Sequence, residues 1–123
     1  MSSLRTVSLA FLVASTALSG CSEWVGCTTS VEPGVVVEIR DAVDGTPMAA
    51  TALGSVIEGS FQDSLRLYDG SLTRAGADER EGTYTLRVLH TGYVTWEQAG
   101  VRVRDRGCHV ETVTLQANLE RAP

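Results

Sequence analysis

Short runs of alternating hydrophobic and polar residues extend over most of the chain beyond its apolar N-terminal segment. The clearest run covers residues 83–90. There Tyr84, Leu86 and Val88 share one side and polar residues share the other, a period of two that is typical of a half-buried β-strand. A similar pattern predicts a strand at 35–40. Because no window of helical length carries an apolar stripe with a period of 3.6 residues, the chain is predicted to be all-β.

Glycine, proline and aspartate interrupt the remaining sequence at intervals that are typical of turns. The segment 69–82 is rich in Gly, Asp, Glu and Arg, which predicts mainly a loop, with a short strand at 71–74 as an alternative. Short strands at this spacing predict an antiparallel β-sandwich or barrel. The weaker predicted strands lie at 51–57, 61–68, 93–97, 101–104 and 108–116.

The apolar N-terminal segment, 6–17, follows a single positive residue, Arg5, and precedes small residues. This layout is typical of a cleaved signal peptide, and the segment is too short to span a bilayer. Residues 18–21, Leu-Ser-Gly-Cys, resemble the lipobox of bacterial lipoproteins. The resemblance implies cleavage after Gly20, a diacylglyceryl group on Cys21, and a fatty acid such as palmitate on the new N-terminus. An ordinary signal peptide followed by a chance cysteine is the alternative.

Removal of the predicted leader, 1–20, leaves about 100 residues, enough for one hydrophobic core and too few for two. We therefore expect a single domain at 33–119. Residues 21–32 are expected to be the lipidated N-terminus and a short tether, and residues 120–123 a C-terminal tail.

The chain has three cysteines. If Cys21 carries lipid, Cys27 and Cys108 remain as a pair, and export would place them in an oxidising compartment. A disulfide between them is therefore expected. Two buried free thiols and a metal-binding pair are the alternatives.

The formal net charge is −5, and every basic side chain other than histidine is an arginine. The acidic balance argues against nucleic acid as a partner. The lack of lysine excludes covalent catalysis by a lysine amine.

Three motifs occur along the chain in a defined order. An opening strand at 34–41 is followed by Asp-Gly-Thr-Pro at 44–47, the pair Gly-Thr-Tyr-Thr-Leu and Gly-Tyr-Val-Thr-Trp lies at 82–86 and 92–96, and Cys-His-Val stands at 108–110. Together they resemble the carboxypeptidase regulatory-like domain, a transthyretin-like (prealbumin-like) fold. The resemblance implies an antiparallel seven-strand Greek-key sandwich that serves as an accessory or cell-surface module, without catalytic residues or a cofactor of its own.

Two groups of residues are candidates for an interaction surface. Arg102, Arg104 and Arg106 alternate along the sequence, which places all three on one face of a strand. They could bind an acidic glycan or a lipid headgroup, and a solvated face that blocks edge-to-edge pairing is the alternative. Trp96 and Tyr68 are candidates for an exposed aromatic platform for glycans.

Other polar residues offer weaker candidates. His90 and His109 are the two histidines, but their spacing fits no metal-binding motif. Asp41 and Asp44 flank a turn and could bind Ca²⁺, or could simply favour the turn. Residues 79–81 are most simply a solvated loop. The chain has no Gly-x-Ser-x-Gly motif and no nucleophile in the context of a known hydrolase motif.

These patterns favour a non-enzymatic lipoprotein of the bacterial cell envelope, anchored in the membrane by its N-terminal lipid. Its β-sandwich would serve a structural role or bind an envelope protein. A glycan- or peptidoglycan-binding module is the alternative, and a small hydrolase is the third hypothesis. Ser22 favours the outer membrane if the source has two membranes, because an Asp after the lipidated cysteine often retains lipoproteins at the inner membrane. The specific partner and the oligomeric state are left open.

Overall fold

The computed structural model describes residues 26–70 and 72–123. The predicted leader, 1–20, and the predicted lipidation site, Cys21, lie outside the described residues. The described part of the chain consists of β-strands and connecting loops, and none of it forms a helix able to cross a membrane.

Two sheets face each other in the described part of the chain. One sheet has the strand order β4-β5-β1-β9, and the other has the order β3-β2-β6-β7-β8. The predicted all-β sandwich is therefore confirmed. The strands are β1 (Val35–Asp41), β2 (Leu53–Glu58), β3 (Phe61–Ser64), β4 (Arg66–Tyr68), β5 (Thr73–Gly76), β6 (Gly82–Leu89), β7 (Trp96–Asp105), β8 (Val110–Glu111) and β9 (Val113–Leu119).

One strand pair differs from the expected antiparallel arrangement. β1 and β9 run parallel, in register from Val35 with Val113 to Asp41 with Leu119. The disulfide between Cys27 and Cys108 is compatible with this direction, because it joins the segments that precede the two strands. Both strands then extend from the same end of the sandwich.

The described residues contain nine strands where seven were expected, chiefly because the chain changes sheets in the middle of two predicted strands. The predicted strand 61–68 divides at Leu65, which leaves β3 in one sheet and β4 in the other. The predicted strand 108–116 divides in the same way at Thr112, whose hydroxyl donates to the Pro33 carbonyl at 2.7 Å. In contrast, the end of the predicted strand 93–97 and all of the predicted strand 101–104 belong to a single strand, β7, which begins at Trp96.

The segment 69–82, predicted mainly as a loop, contains an interior strand. β5 pairs with β1 on one side and β4 on the other. Its Ala75 and Gly76 are buried. Gly76 packs so closely that an added Cβ would lie 2.9 Å from Leu65 Cδ2. A small residue is therefore required where β5 packs against Leu65, the residue at which the chain passes from one sheet to the other.

The core lies between the two sheets and is built mainly from aliphatic side chains on alternate positions. β1 and β6 contribute the most regular rows, as their sequence patterns predict. Burial of each large side chain stabilises the fold by about 1.5–3 kcal/mol. The fully buried residues of these two strands are Val35, Val37, Ile39, Tyr84, Leu86 and Val88.

Arg80 closes the core around the one buried tyrosine. The Tyr84 hydroxyl donates to the Arg80 carbonyl at 2.8 Å and accepts from the Arg80 guanidinium at 2.9 Å. The same guanidinium lies 3.8 Å from the centroid of the Phe61 ring and donates to Glu58 Oε1 at 2.9 Å. The prediction of a solvated loop at 79–81 is therefore wrong at Arg80, because its side chain is held by an aromatic ring, a carboxylate and a buried hydroxyl.

The Tyr84 hydroxyl gives the first test. We expect Tyr84→Phe to lower the free energy of unfolding by about 1–2 kcal/mol, because a buried hydrogen-bonded group is lost and its partners stay in place. Urea denaturation measures this change. Tyr68→Phe is the matched control, since Tyr68 is 37% exposed. Equal stability of the two variants would contradict a structural role for the Tyr84 hydroxyl.

Candidate functional site

The tether is joined to the sandwich by a covalent bond. The expected disulfide between Cys27 and Cys108 is present, with the two Cα atoms 5.1 Å apart and a separation of 81 positions in sequence. Closing a loop of this length stabilises the folded state by about 4.5 kcal/mol in the chain-entropy model. We call this end of the sandwich the disulfide end, and the opposite end, where β1 finishes, the distal end.

A polar clamp holds the tether beside the disulfide. Glu79 Oε1 accepts hydrogen bonds from the Glu32 backbone N–H at 2.8 Å and from His109 Nδ1 at 2.5 Å. Glu79 Oε2 accepts from the Val110 backbone N–H at 3.3 Å. The other ring nitrogen of His109 lies 2.8 Å from the Thr28 hydroxyl. Residues 79–81, expected to be solvated, thus include a carboxylate that joins three segments of the chain.

Glu79 has an unfavourable backbone conformation, and the hydrogen bonds of its side chain offset the cost. Its φ is +50°, in the left-handed region that favours glycine. A hydrogen bond from the Glu32 N–H and, as the second cause, one from His109 hold the pKa of the Glu79 carboxyl below its ordinary value of 4.5. The ionised carboxylate is therefore the form that fastens the tether.

The clamp has the residue order of a hydrolytic triad, with a hydroxyl, an imidazole and a carboxylate in line. Both ends of this array are already engaged, however. Thr28 Oγ1 also lies 2.8 Å from Ser30 Oγ, and Glu79 binds two backbone N–H groups. The arrangement therefore supports a fastening role. An open depression of about 650 Å³ lies beside it, and its lining includes the charged residues Arg80, Glu81 and Asp105.

A buried carboxylate organises the distal end. Asp41 is 3% exposed, and its oxygens accept from the Tyr93 hydroxyl at 2.5 Å, the Val43 N–H at 2.7 Å and Arg121 Nε at 3.0 Å. These donors, with the Tyr93 hydroxyl foremost, hold the pKa of Asp41 well below its usual range. Because protein donors occupy its oxygens, Asp41 is a structural turn residue, and the Ca²⁺ alternative loses its main ligand. Asp44 binds Arg121 and Thr46.

The segment predicted as a C-terminal tail is part of the sandwich. The Val94 N–H donates to the Glu120 carbonyl at 2.7 Å, and the Ala122 N–H donates to the Gly92 carbonyl at 2.9 Å. Arg121 lies between these bonds and pairs with Asp41. Residues 120–122 therefore close the distal end.

The three candidate arginines do not act as one row. Arg102 and Arg104 are exposed on β7, where buried residues alternate with them. Arg102 donates to the Thr83 hydroxyl at 3.3 Å. Arg106 lies beyond the end of β7, and its guanidinium pairs with Glu111 at 2.7 Å. The structure thus places Arg102 and Arg104 on one face, with Arg106 engaged in the following turn.

The two histidines lie at opposite ends of the sandwich. His109 belongs to the clamp, whereas His90 lies at the distal end with Nε2 at 2.7 Å from the Thr51 hydroxyl. Among the described residues, no three His, Cys, Asp or Glu side chains are grouped in a way that could hold a metal ion.

Trp96 lies at the distal end, where β7 begins. It is half-buried and packs against the core. It also lines a groove of about 180 Å³, together with Val94, Thr95, Glu97, Asn118 and Glu120. Tyr68, the other candidate aromatic residue, lies on β4 at the far edge of the four-stranded sheet. The structure therefore does not bring the two aromatic residues into one platform.

A second depression adjoins the groove. It has a volume of about 360 Å³ and shares Thr95 with the first. Leu53 and Leu89, which are 70% and 42% exposed, form its apolar part. The two together, which we call the distal groove, are the principal surface concavity at this end. The remaining residues of the second depression are Thr51, His90 and Thr91.

Sequence patterns marked Trp96 as a candidate but missed Asn118, Glu120 and Glu79. Asn118 and Trp96 are 22 residues apart, and the fold alone brings β9 beside the start of β7. The paired backbone of 92–94 and 120–122 was the missing information, and no local motif encodes it.

Comparison with models of known protein families found no match to the chain, and comparison with curated proteins found no significant relative. The resemblance to the carboxypeptidase regulatory-like domain therefore stays a prediction from the three sequence motifs.

The clamp predicts a pH dependence of stability. A carboxyl whose pKa is lowered by folding stabilises the native state above its unfolded pKa, and this contribution is lost as the pH falls through the folded value. For Glu79 the loss begins below its ordinary value of 4.5. We expect Glu79→Gln to lower stability at pH 7 and to flatten the stability profile below pH 4.5, as measured by urea unfolding.

Glu81→Gln is the matched control for this experiment, because Glu81 is an exposed neighbour on the same loop. It should preserve both the stability at pH 7 and the acid-induced decline. A decline of the same steepness in the Glu79→Gln variant and the parent protein would contradict the role of Glu79.

Proposed function

We propose that this chain is a non-enzymatic lipoprotein of the bacterial cell envelope. Its sandwich would belong to the carboxypeptidase regulatory-like, transthyretin-like class and would serve a structural or protein-interaction role. The observation that carries the proposal is the fastening of residues 27–32 to the sandwich, a short distance after the cysteine that the lipobox resemblance marks for acylation.

The fastened tether limits how far the domain can lie from its anchor. Cys27 lies six positions after Cys21, and an extended chain of this length spans roughly 20 Å. Beyond Cys27 the chain has little slack, because Thr28 and Glu32 are both bound by the clamp. A lipid on Cys21 would therefore hold the disulfide end close to the bilayer.

The length of the sandwich would then separate the distal end of the anchored domain from the membrane. β7 runs from Trp96 at the distal end to Asp105 beside the disulfide, a strand of 10 residues. At ~3.3 Å per residue it spans about 30 Å. The distal groove would face away from the membrane, toward whatever partner the envelope presents.

The use of polar residues also supports a role without catalysis. The one hydroxyl–imidazole–carboxylate array described above fastens the tether. Likewise, the buried Asp41 is engaged with Tyr93 and Arg121. Structural ion-pair and hydrogen-bond networks also perturb pKa values, and the shifts at Glu79 and Asp41 are accounted for by such bonds.

The anchor is tested by Cys21→Ala. Two or more acyl chains hold a protein in a bilayer, because each buried methylene contributes about 0.8 kcal/mol. We expect the variant to lose incorporation of radiolabelled palmitate and to leave the membrane fraction or accumulate unprocessed. Ser22→Ala is the control and should retain the label. Unchanged labelling and detergent partitioning of Cys21→Ala would refute lipidation at this residue.

The orientation is tested separately with fluorophores attached through an unnatural amino acid. Val31, near the disulfide, is 64% exposed and Val43, at the distal end, is 75% exposed, so both sites tolerate a label. In protein reconstituted into vesicles, energy transfer to a lipid dye should place position 43 farther from the bilayer by about 20 Å, the length of β1. Equal distances at the two positions would contradict the short, fastened tether.

A further inference from the structure

We propose that the distal groove binds an uncharged glycan, with one pyranose ring seated beside Trp96. The proposal rests on the residues that line the groove and does not depend on the lipid anchor. A sugar ring has an apolar C–H face and a hydroxyl-bearing edge. A site for it therefore needs an apolar or aromatic surface with hydrogen-bonding groups beside it.

Trp96 supplies the aromatic surface. Its inner part packs against the core, and Val88 is its partner across the sheet, so the side chain is held in place. Its remaining surface is open at the groove. The Trp96 indole N–H makes no hydrogen bond within residues 26–70 and 72–123, and since no buried side-chain nitrogen of the described residues lacks a partner, this N–H is open to solvent at the groove. A donor is therefore left for water or for a ligand.

Asn118 and Glu120 supply the polar edge. Both are exposed, and in the described part of the chain neither side chain makes a hydrogen bond to another protein group. The Asn118 amide offers donors and an acceptor, and the Glu120 carboxylate offers acceptors, which matches the mixed donors and acceptors of a sugar. Glu97 differs, because its carboxylate pairs with Arg87 at 3.3 Å.

The dimensions favour a chain of small rings. The part of the groove beside Trp96 measures about 180 Å³, which is below the ~300–1,000 Å³ of sites for drug-sized ligands. It has room for about one ring. Beyond Thr95, the second depression offers the Thr51 and Thr91 hydroxyls beside Leu53 and Leu89. A linear oligosaccharide could place its next ring there.

The charge of the groove selects among glycans. The described residues that line it include the carboxylates of Glu97 and Glu120, and no arginine. Arg87 is paired with Glu97, so an anionic sugar would meet the like charge of Glu120 with no arginine among the lining residues to offset it, which is unfavourable. A neutral sugar with hydroxyl or acetamido substituents fits the groove better. This separates the distal groove from Arg102 and Arg104, where an acidic glycan was the expected ligand.

The groove is also built on rigid elements. Trp96 begins β7, Asn118 belongs to β9, and the Val94 N–H is bonded to the Glu120 carbonyl at 2.7 Å. A site held by paired strands keeps its geometry without ligand, so little ordering cost opposes binding.

The test uses tryptophan fluorescence of the full-length protein in detergent. The chain has two tryptophans, so Trp24→Phe leaves Trp96 as the single reporter. The probes are chitotetraose, with acetamido groups, cellotetraose, with hydroxyls alone, and tetragalacturonate, which is anionic. We expect a saturable change in Trp96 emission with at least one neutral probe and a weaker response to tetragalacturonate. The neutral probe with the greater affinity identifies the preferred substituent.

Variants locate the binding by calorimetry with the neutral probe that binds. Trp96→Ala should weaken binding by at least about tenfold, the change that ~1.4 kcal/mol produces. Because Trp96 also packs against the core, the exposed pair Asn118→Ala and Glu120→Ala provides a second test that leaves the core intact. Each should weaken binding several-fold. Tyr68→Ala, on the far edge of the other sheet, is the control and should bind as the parent does.

Three results would overturn the proposal. They are no saturable response to either neutral probe, unchanged affinity when both Asn118→Ala and Glu120→Ala are present, and tighter binding of tetragalacturonate than of the neutral probes. None of these bears on Cys21. Conversely, a failure of lipidation in the Cys21 experiment would leave the binding result unaffected.

Discussion

Hydrogen bonding along both edges of β1 is the interaction on which the other parts of this structure depend. On one side β1 pairs with β5, and on the other it pairs in parallel with β9 over its full length. Both faces of its first three residues are buried. A strand buried on both faces must have its backbone groups paired, because an unpaired buried amide costs about 1–3 kcal/mol. The tether, the turn at Asp41 and the last residues of the chain all take their positions from this strand.

The fold class and its most regular strands could be predicted from sequence because their burial alternates with a period of two. β1 and β6 are in this group. β5 was anticipated only by the alternative of a short strand at 71–74, since Thr73–Gly76 is polar and small, and its burial depends on Leu65 covering Gly76. The changes of sheet at Leu65 and Thr112 were hidden for a related reason. Strand propensity continues across both residues, and only packing between sheets determines which neighbour each half selects.

The residues of the candidate site likewise fall into two groups, those that the sequence indicated and those that only the fold brings together. Trp96 could be marked because a lone indole near a strand end is an unusual chemical feature, and the cysteine pair because of its expected compartment. Asn118 and Glu79 carry no such signal. Each becomes a binding or clamping group only because distant strands are brought together, β9 beside β7 in one case and the tether beside the turn at His109 in the other. The prediction that the charged loop at 79–81 is solvated was also wrong, because composition does not show which charged residues have partners. A charged residue is buried or bound only when the fold supplies its partner.

The parallel pairing of β1 with β9 also affects the polypeptide before it has folded. Val35 and its partner Val113 are 78 residues apart in sequence, so one edge of β1 stays unpaired until the chain has been made through β9. Its contacts span most of the sequence, which slows folding, and an unpaired apolar strand is prone to aggregate. A translation product that stops before Val113 would lack this partner as well as the Arg121 counter-charge of Asp41. Such a product would therefore keep one edge of β1 open to association with the strands of other chains.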